Sequence, residues 1–118
     1  MNNMNYIPFD PNAPARDKCG QEIKAGCFVI YGHALGRCAA LKFGKILKIT
    51  LKGSRYPHRP DIPEHHFSVI GVDEDNWKNP ITYSLSKKGT LQFSDRMVVI
   101  PKSMLPQEVK VLLDQVNI

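Results

Sequence analysis

The clearest pattern along the chain is a series of short apolar runs bounded by glycine, proline or charged residues, which predicts β-strands. Residues 27–31 are apolar and partly β-branched, between Gly26 and Gly32. Residues 43–52 alternate, so one face is expected to carry Phe43, Lys45, Leu47, Ile49 and Leu51. The other face is expected to carry Lys42, Gly44, Ile46, Lys48, Thr50 and Lys52. This pattern predicts a half-buried strand with a lysine-lined outer face.

Three further apolar runs complete the predicted sheet. Residues 66–72 and 97–100 are expected to be strands, and Pro101 ends the second by removing a backbone donor. Residues 81–85 and 90–93 are separated by a polar, glycine-containing turn at 86–89, which is typical of a hairpin. Prolines in residues 53–63 predict a loop there.

The two ends of the chain differ from this β pattern. Residues 1–16 hold three prolines and are expected to form an extended arm, partly mobile or draped on the domain. Residues 17–118 are expected to form a single domain, which opens with a turn at 17–20. Apolar residues from Leu105 to Val116 follow helical spacing, with Pro106 at the first helical position. This C-terminal helix is expected to cover an open end of the sheet, and binding of a partner is its alternative role.

The charge of the chain is unevenly distributed. Residues 24–59 contain eight lysines and arginines but no aspartate or glutamate, whereas the remaining residues hold eight bases and eleven acids. Such an asymmetry favours a polyanionic partner, most often nucleic acid. Two alternatives are an acidic protein surface and a solvated lysine face that prevents edge-to-edge aggregation.

Residues 23–49 also resemble the KOW motif of ribosomal proteins and transcription elongation factors. A glycine turn leads into the strand at 27–31, a glycine-bearing loop follows at 32–36, and Gly44-Lys45-Ile46 opens the next strand. Gly26 and Val29 match the first half of the motif, and Gly44, Lys45 and Ile46 match the second. The resemblance implies a mainly β fold, a small bent five-stranded Src-homology-3-like barrel, with a role linked to nucleic acid or polymerase.

Phosphate contacts are predicted for the lysines and arginines of the basic window. Within residues 54–59, Tyr56 and His58 lie between Arg55 and Arg59, which suits a loop that stacks on bases, although such aromatics also serve as loop anchors. Binding is expected to be weakly sequence-specific and strongly salt-dependent. The complete set of candidate nucleic-acid contacts is Lys24, Arg37, Lys42, Lys45, Lys48, Lys52, Arg55, Tyr56, His58 and Arg59.

The sequence contains no pattern that favours catalysis or a cofactor. The loop at 32–37 lacks the lysine–serine ending of a phosphate-binding loop, and the carboxylates at 73–75 are distant in sequence from the basic window. The cysteines and histidines lack the paired spacing that is typical of structural zinc ligands; they are Cys19, Cys27, His33, Cys38, His58, His65 and His66. We therefore expect no catalytic residue, no metal and no cofactor.

These observations predict a non-catalytic protein that binds DNA or RNA and modulates transcription or host nucleic-acid processing. The alternative is a phage-type interaction module that docks on an acidic host protein, such as a polymerase, and inhibits or redirects it. A structural subunit of a larger assembly is a third interpretation. The short, proline-rich, cysteine-containing chain resembles bacteriophage accessory proteins. Its odd cysteine count and the absence of a long apolar run predict a cytoplasmic protein with no membrane partner.

Overall fold

The computed structural model describes residues 12–35, 38–53, 63–75 and 80–116. They form an antiparallel β-sheet against which one short helix packs. The strands are β1 (Phe28–Leu35), β2 (Cys38–Gly53), β3 (Pro63–Asp75), β4 (Thr82–Leu85), β5 (Thr90–Gln92) and β6 (Met97–Ile100), and the helix is α1 (Gln107–Asp114). The chain is therefore mainly β with a C-terminal helix, as predicted. No helix within these described residues is long and apolar enough to cross a membrane.

The sheet is open. Its strands lie in the order β4-β3-β2-β1-β6, with β5 also paired to β3, and the two ends of this order do not meet. The structure therefore does not confirm the closed five-stranded barrel. The central strand β2 is long enough to pair with β1 over Cys38–Lys45 and with β3 over Gly44–Gly53. Only its middle is bonded on both sides. Towards its start β2 continues as a ribbon with β1, and towards its end it continues as a ribbon with β3, to which β5 adds a third strand over Phe67–Val69.

The predicted hairpin between β4 and β5 is wrong. Both strands run antiparallel to β3 along the same edge, where Val72 pairs with Leu85 and Val69 pairs with Thr90. The Ser86 N–H donates to the carbonyl of Gly71 (2.9 Å), and the chain then departs from the edge until Thr90. Together β4 and β5 are one edge strand interrupted by a four-residue excursion at residues 86–89.

Each face of the sheet has its own hydrophobic core. The first core lies on the face covered by the N-terminal segment and contains Ala15, Ile23, Val29, Tyr31, Ile46, Phe67, Val69 and Met97. The second core lies on the face covered by α1 and contains Ile70, Val72, Ile100, Leu105, Val109 and Leu113. Residues 69–72 of β3 are buried on both faces, whereas residues 63–68 bury only Phe67. Apolar burial on both faces is the main favourable term for this fold.

A β-bulge in β2 corrects the predicted alternation. Ile46 pairs with Val69, but the next pair joins Lys48 to Ser68, so Leu47 is the additional residue. Beyond the bulge, Ile49 pairs with Phe67 and shares the first-core face with Ile46. Lys48, Thr50 and Lys52 therefore lie on the second-core face, opposite to Lys42.

The KOW-like positions have structural roles in this fold. Gly26 has φ +92°, a conformation that residues with a Cβ rarely adopt. Its N–H donates to the Ile46 carbonyl (2.8 Å), which ties the turn to β2. At Gly44, a Cβ would lie 2.7 Å from the Tyr31 ring and 2.9 Å from the backbone oxygen of Ile70, so only glycine permits this packing.

The N-terminal turn covers the outer edge of β6. Asp17 is buried, and its carboxylate accepts hydrogen bonds from the backbone N–H groups of Cys19, Gln21 and Val99. The Lys18 N–H donates to the Met97 carbonyl (3.1 Å). The predicted turn at 17–20 is thus present, and Ala15, within the predicted arm, already belongs to the first core.

The helix is shorter than the apolar pattern predicts. Its first helical residue is Gln107, while Pro106 occupies the preceding position and its carbonyl accepts from the Lys110 N–H (3.0 Å). Val109 and Leu113 are fully buried against the sheet, so α1 covers one part of the second face, as expected of a capping helix.

Candidate nucleic-acid interface

A groove lies on the second-core face at the end of the sheet that α1 leaves uncovered. Its volume is about 250 Å³. Its lining, hereafter the basic groove, consists of Lys48, Thr50, Lys52, His66, Ser68, Gly89, Thr90 and Leu91. No carboxylate belongs to this lining among the residues that the structure describes.

Strand register explains why this part of the face is polar. Ile70 and Val72 alternate onto the same face as Ser68 and His66, but only the first two meet α1. Where the helix ends, apolar side chains give way to hydroxyl, imidazole and ammonium groups. The face is thus a core at one end and an accessible polar surface at the other.

Cross-strand pairs arrange these side chains in rows. Lys48 pairs with Ser68, and Ser68 pairs with Leu91, so a cation, a hydroxyl and an apolar side chain follow one another across three strands. In the next row, Thr50 pairs with His66. The hydroxyl side chains of Thr50 and Ser68 therefore lie beside Lys48 and Lys52, and all four side chains can contact phosphate oxygens.

His66 has a fixed ring. Its Nε2 lies 3.0 Å from the carbonyl oxygen of Gly53, to which a protonated Nε2 donates. The ring also meets Phe93 edge to face, with 5.1 Å between ring centroids. These two contacts hold the imidazole at the floor of the groove, where Nδ1 carries its remaining hydrogen-bonding capacity.

The wall of the groove formed by the excursion at 86–89 is held from the opposite face. Ser86 Oγ donates to Asp73 Oδ2 (3.3 Å), and Asp73 also pairs with Lys42. Burial and the Asp73 carboxylate raise the pKa of Tyr31, whereas its hydrogen bond with the Thr90 side chain opposes that rise. Thr90 and Ser86 are thus both tied to the first-core face.

Within the described part of the chain, the two lysines of the basic groove keep their positive charge free of ion pairs. No ion pair joins Lys48 or Lys52 to a carboxylate of the described residues. Glu64 lies opposite Lys52 in the strand register, at the far end of the groove. Lys87 and Lys88, in the excursion, are exposed and add two further cations beside Gly89.

The structure does not bring the other predicted lysines to this surface. Lys24 pairs with Glu22 (3.4 Å) in the N-terminal segment, and Lys42 pairs with Asp73 on the first-core face, with 18% of its side chain exposed. Lys45 Nζ donates to the Val116 carbonyl beyond the end of α1 (3.1 Å) and lies 5.7 Å from the centre of the Phe28 ring. The described lysines of the basic window are therefore dispersed over two faces, and of these only Lys48 and Lys52 lie together.

The remaining predicted contacts lie outside the described residues. They are Arg37, between β1 and β2, and Arg55, Tyr56, His58 and Arg59, between β2 and β3. For the residues that are described, no group of three or more histidine, cysteine, aspartate or glutamate side chains could hold a metal ion.

Six groove residues were not among the predicted nucleic-acid contacts: Thr50, His66, Ser68, Gly89, Thr90 and Leu91. The alternation of β2 placed Thr50 beside Lys48 and Lys52, so its position was accessible from the sequence. The others depend on the pairing of β3 with β2 and β5, for which the sequence carries no local signal.

The chain matches no protein-family model, no curated protein and no solved structure. The geometry and charge of the basic groove are therefore the features that point to a function.

Proposed function

We propose that this protein is a non-catalytic nucleic-acid-binding protein that uses the basic groove to hold the sugar–phosphate backbone. The observation that carries this proposal is the pair Lys48 and Lys52, which have no carboxylate partner among the described residues and border a groove whose described lining is free of carboxylates. Four residues along a strand separate their Cα atoms by about 13 Å, so the two lysines meet different phosphates.

The chemistry of the groove favours the backbone over base edges. Lysine ammonium groups and the hydroxyls of Thr50 and Ser68 are typical donors to phosphate and sugar oxygens. The described lining contains no arginine, asparagine or glutamine of the kind that reads bases through paired hydrogen bonds. Binding is therefore weakly sequence-specific, and it loses an order of magnitude or more when salt rises a few-fold.

The proposal extends to the segment between β2 and β3. Arg55 and Arg59 follow Lys52 in the sequence, and Tyr56 and His58 lie between the two arginines. In the proposal these residues lengthen the contact beyond the groove, with phosphate for the arginines and base stacking for the aromatic rings. A relation to KOW-type barrel domains is part of the same proposal, although Lys45 of the motif contacts the end of α1.

The test compares two double variants that remove the same charge. Lys48→Gln with Lys52→Gln alters the basic groove, whereas Lys18→Gln with Lys24→Gln alters exposed lysines of the N-terminal segment. Affinity for labelled DNA and RNA oligonucleotides is measured by fluorescence anisotropy at several salt concentrations. The groove variant is expected to weaken binding at least tenfold and to reduce the slope of log K against log salt by about 1.4–1.8.

The control variant is expected to bind as the unaltered protein does. Equal losses in both variants would indicate a general charge effect and refute the groove as the site. If no nucleic acid binds at low salt, the proposal fails. Recovery of one acidic protein by the unaltered chain, but not by the groove variant, would then support the docking alternative.

A further inference from the structure

We infer that the basic groove takes a single strand of nucleic acid rather than a duplex, with phosphates along β2 and bases towards β5. This inference rests on the proposed function and names the class of ligand more narrowly. It comes from the width of the groove and from the chemical difference between its two sides.

The width of the groove excludes a duplex from its floor. The groove extends from β2 across β3 to β5, which is two inter-strand spacings, or about 10 Å. The major groove of B-DNA alone is about 12 Å wide, so the whole duplex is considerably wider. A duplex can reach only the rims, whereas one strand fits between them.

The β2 side and the β5 side of the groove differ in chemical character, and the two sides of a single nucleic-acid strand differ in the same way. The β2 side carries Lys48 and Lys52, and the β5 side carries Leu91, whose side chain is exposed although apolar (57%). A single strand has phosphates on one side and unstacked bases on the other, and those bases can rest on a nonpolar surface. In a duplex the base faces are stacked on one another and cannot contact Leu91.

The order of side chains within one row supports the same orientation. Lys48, Ser68 and Leu91 are consecutive cross-strand neighbours on β2, β3 and β5. They can contact phosphate, sugar and base in that order, because the Ser68 hydroxyl can donate to a sugar ring oxygen and, in RNA, can also accept from a 2′-hydroxyl. His66 lines the groove on β3 in the next row, and its ring is in edge contact with Phe93, which follows β5.

The experiment compares a labelled 20-nucleotide oligothymidylate with a 20-base-pair duplex, using fluorescence anisotropy at one salt concentration. The full chain is measured together with Leu91→Ser and with the control Met104→Ser. Met104 is similarly exposed (60%) but follows β6, at the opposite edge of the sheet. Circular dichroism melting shows whether each variant is folded.

The single strand is expected to bind at least tenfold more tightly than the duplex. Leu91→Ser is expected to weaken single-strand binding about fivefold, which matches the lower end of the loss when a base loses an aromatic platform. Its salt slope should be unchanged, because no phosphate contact is lost. Met104→Ser should leave the affinity unaltered.

Two results overturn the inference while leaving the proposed function intact. One is duplex binding as tight as single-strand binding, and the other is an equal effect of the two serine substitutions. The absence of binding to either oligonucleotide overturns the inference and the proposed function together. If Leu91→Ser fails to fold, Leu91→Ala supplies the same comparison with a smaller change.

Discussion

Asp17 is the buried carboxylate that fastens the N-terminal turn to β6. Burial opposes its ionisation, but hydrogen bonds from the Val99, Gln21 and Cys19 backbone and from the Gln21 side chain outweigh burial, so its pKa is lowered. The backbone N–H of Val99 and the side-chain Nε2 of Gln21 both donate to Asp17 Oδ2, at 2.7 and 3.0 Å. The ionised carboxylate thus organises both the turn and an edge of the sheet.

Asp17→Asn is expected to destabilise the fold by about 2–4 kcal/mol at neutral pH, because hydrogen bonds to a charged acceptor are lost or weakened. A lowered pKa stabilises the fold above the ordinary aspartate value, and this contribution is lost as pH falls through the folded-state pKa. Urea unfolding at neutral pH and near pH 3 measures both effects. The difference in unfolding free energy between the unaltered protein and Asp17→Asn should be smaller in acid than at neutral pH. A difference that does not change with pH would contradict this account.

Gly44 and Gly32 provide a matched pair of strand glycines. Gly44→Ala places a Cβ against Tyr31, Val69 and the Ile70 backbone, whereas Gly32→Ala meets nothing within 4 Å. We expect Gly44→Ala to cost about 2–4 kcal/mol through overpacking and Gly32→Ala to change stability by less than about 1 kcal/mol. Chemical denaturation measures the free energy of unfolding of both variants. Similar losses of stability would show that the neighbours of Gly44 shift to accommodate the added Cβ.

At the scale of elements, Lys45 and Lys48 of β2 are expected to have different roles, the first in stability and the second in oligonucleotide binding. Lys45→Met removes the bond to the Val116 carbonyl, and we expect it to lower the free energy of unfolding by about 1 kcal/mol. It should leave oligonucleotide affinity nearly unchanged. Lys48→Met is expected to do the reverse, with lower affinity and unchanged stability. Thermal melting and fluorescence anisotropy of both variants test this separation of roles. A loss of both stability and oligonucleotide affinity in either variant would contradict it.

The elements predicted from local patterns are those whose signals lie within a few residues. Helix α1 follows from the spacing of Val109 and Leu113, and β6 follows from an apolar run stopped by Pro101. The β4–β5 hairpin was predicted wrongly because residues 86–89 have ordinary turn chemistry. Their actual conformation is set by pairing with β3, which is distant in sequence.

The candidate site was predictable only in part, for a similar reason. The alternation along β2 correctly placed Lys48 and Lys52 on one face, because they are four residues apart on one strand. It could not separate them from Lys42, since the bulge at Leu47 is visible only in the pairing with β3. Nor could it reveal that Asp73 meets Lys42, because the two are brought together by the fold.

At the scale of the whole molecule, β2 connects all parts of the sheet. Gly44 and Lys45 pair with β1 and also with β3, whereas Cys38–Phe43 and Lys48–Gly53 each have a partner on one side only. We expect amide hydrogen exchange to be slowest at residues 44–46 and to become faster towards both ends of β2. Exchange followed by NMR tests this, and uniform protection along β2 would show that the ribbons open together with the centre.

The bulge at Leu47 has a consequence for how the length of this chain can vary. Loss of Leu47 alone would leave Ile46 and Lys48 as consecutive, regularly paired residues, and every later side chain would keep its side of the sheet. Loss of Thr50 would instead exchange the inward and outward positions of Leu51 and Lys52 relative to β3. Relatives that differ by a one-residue gap are therefore expected to carry that gap at Leu47, where evolution can shorten the strand without reversing it.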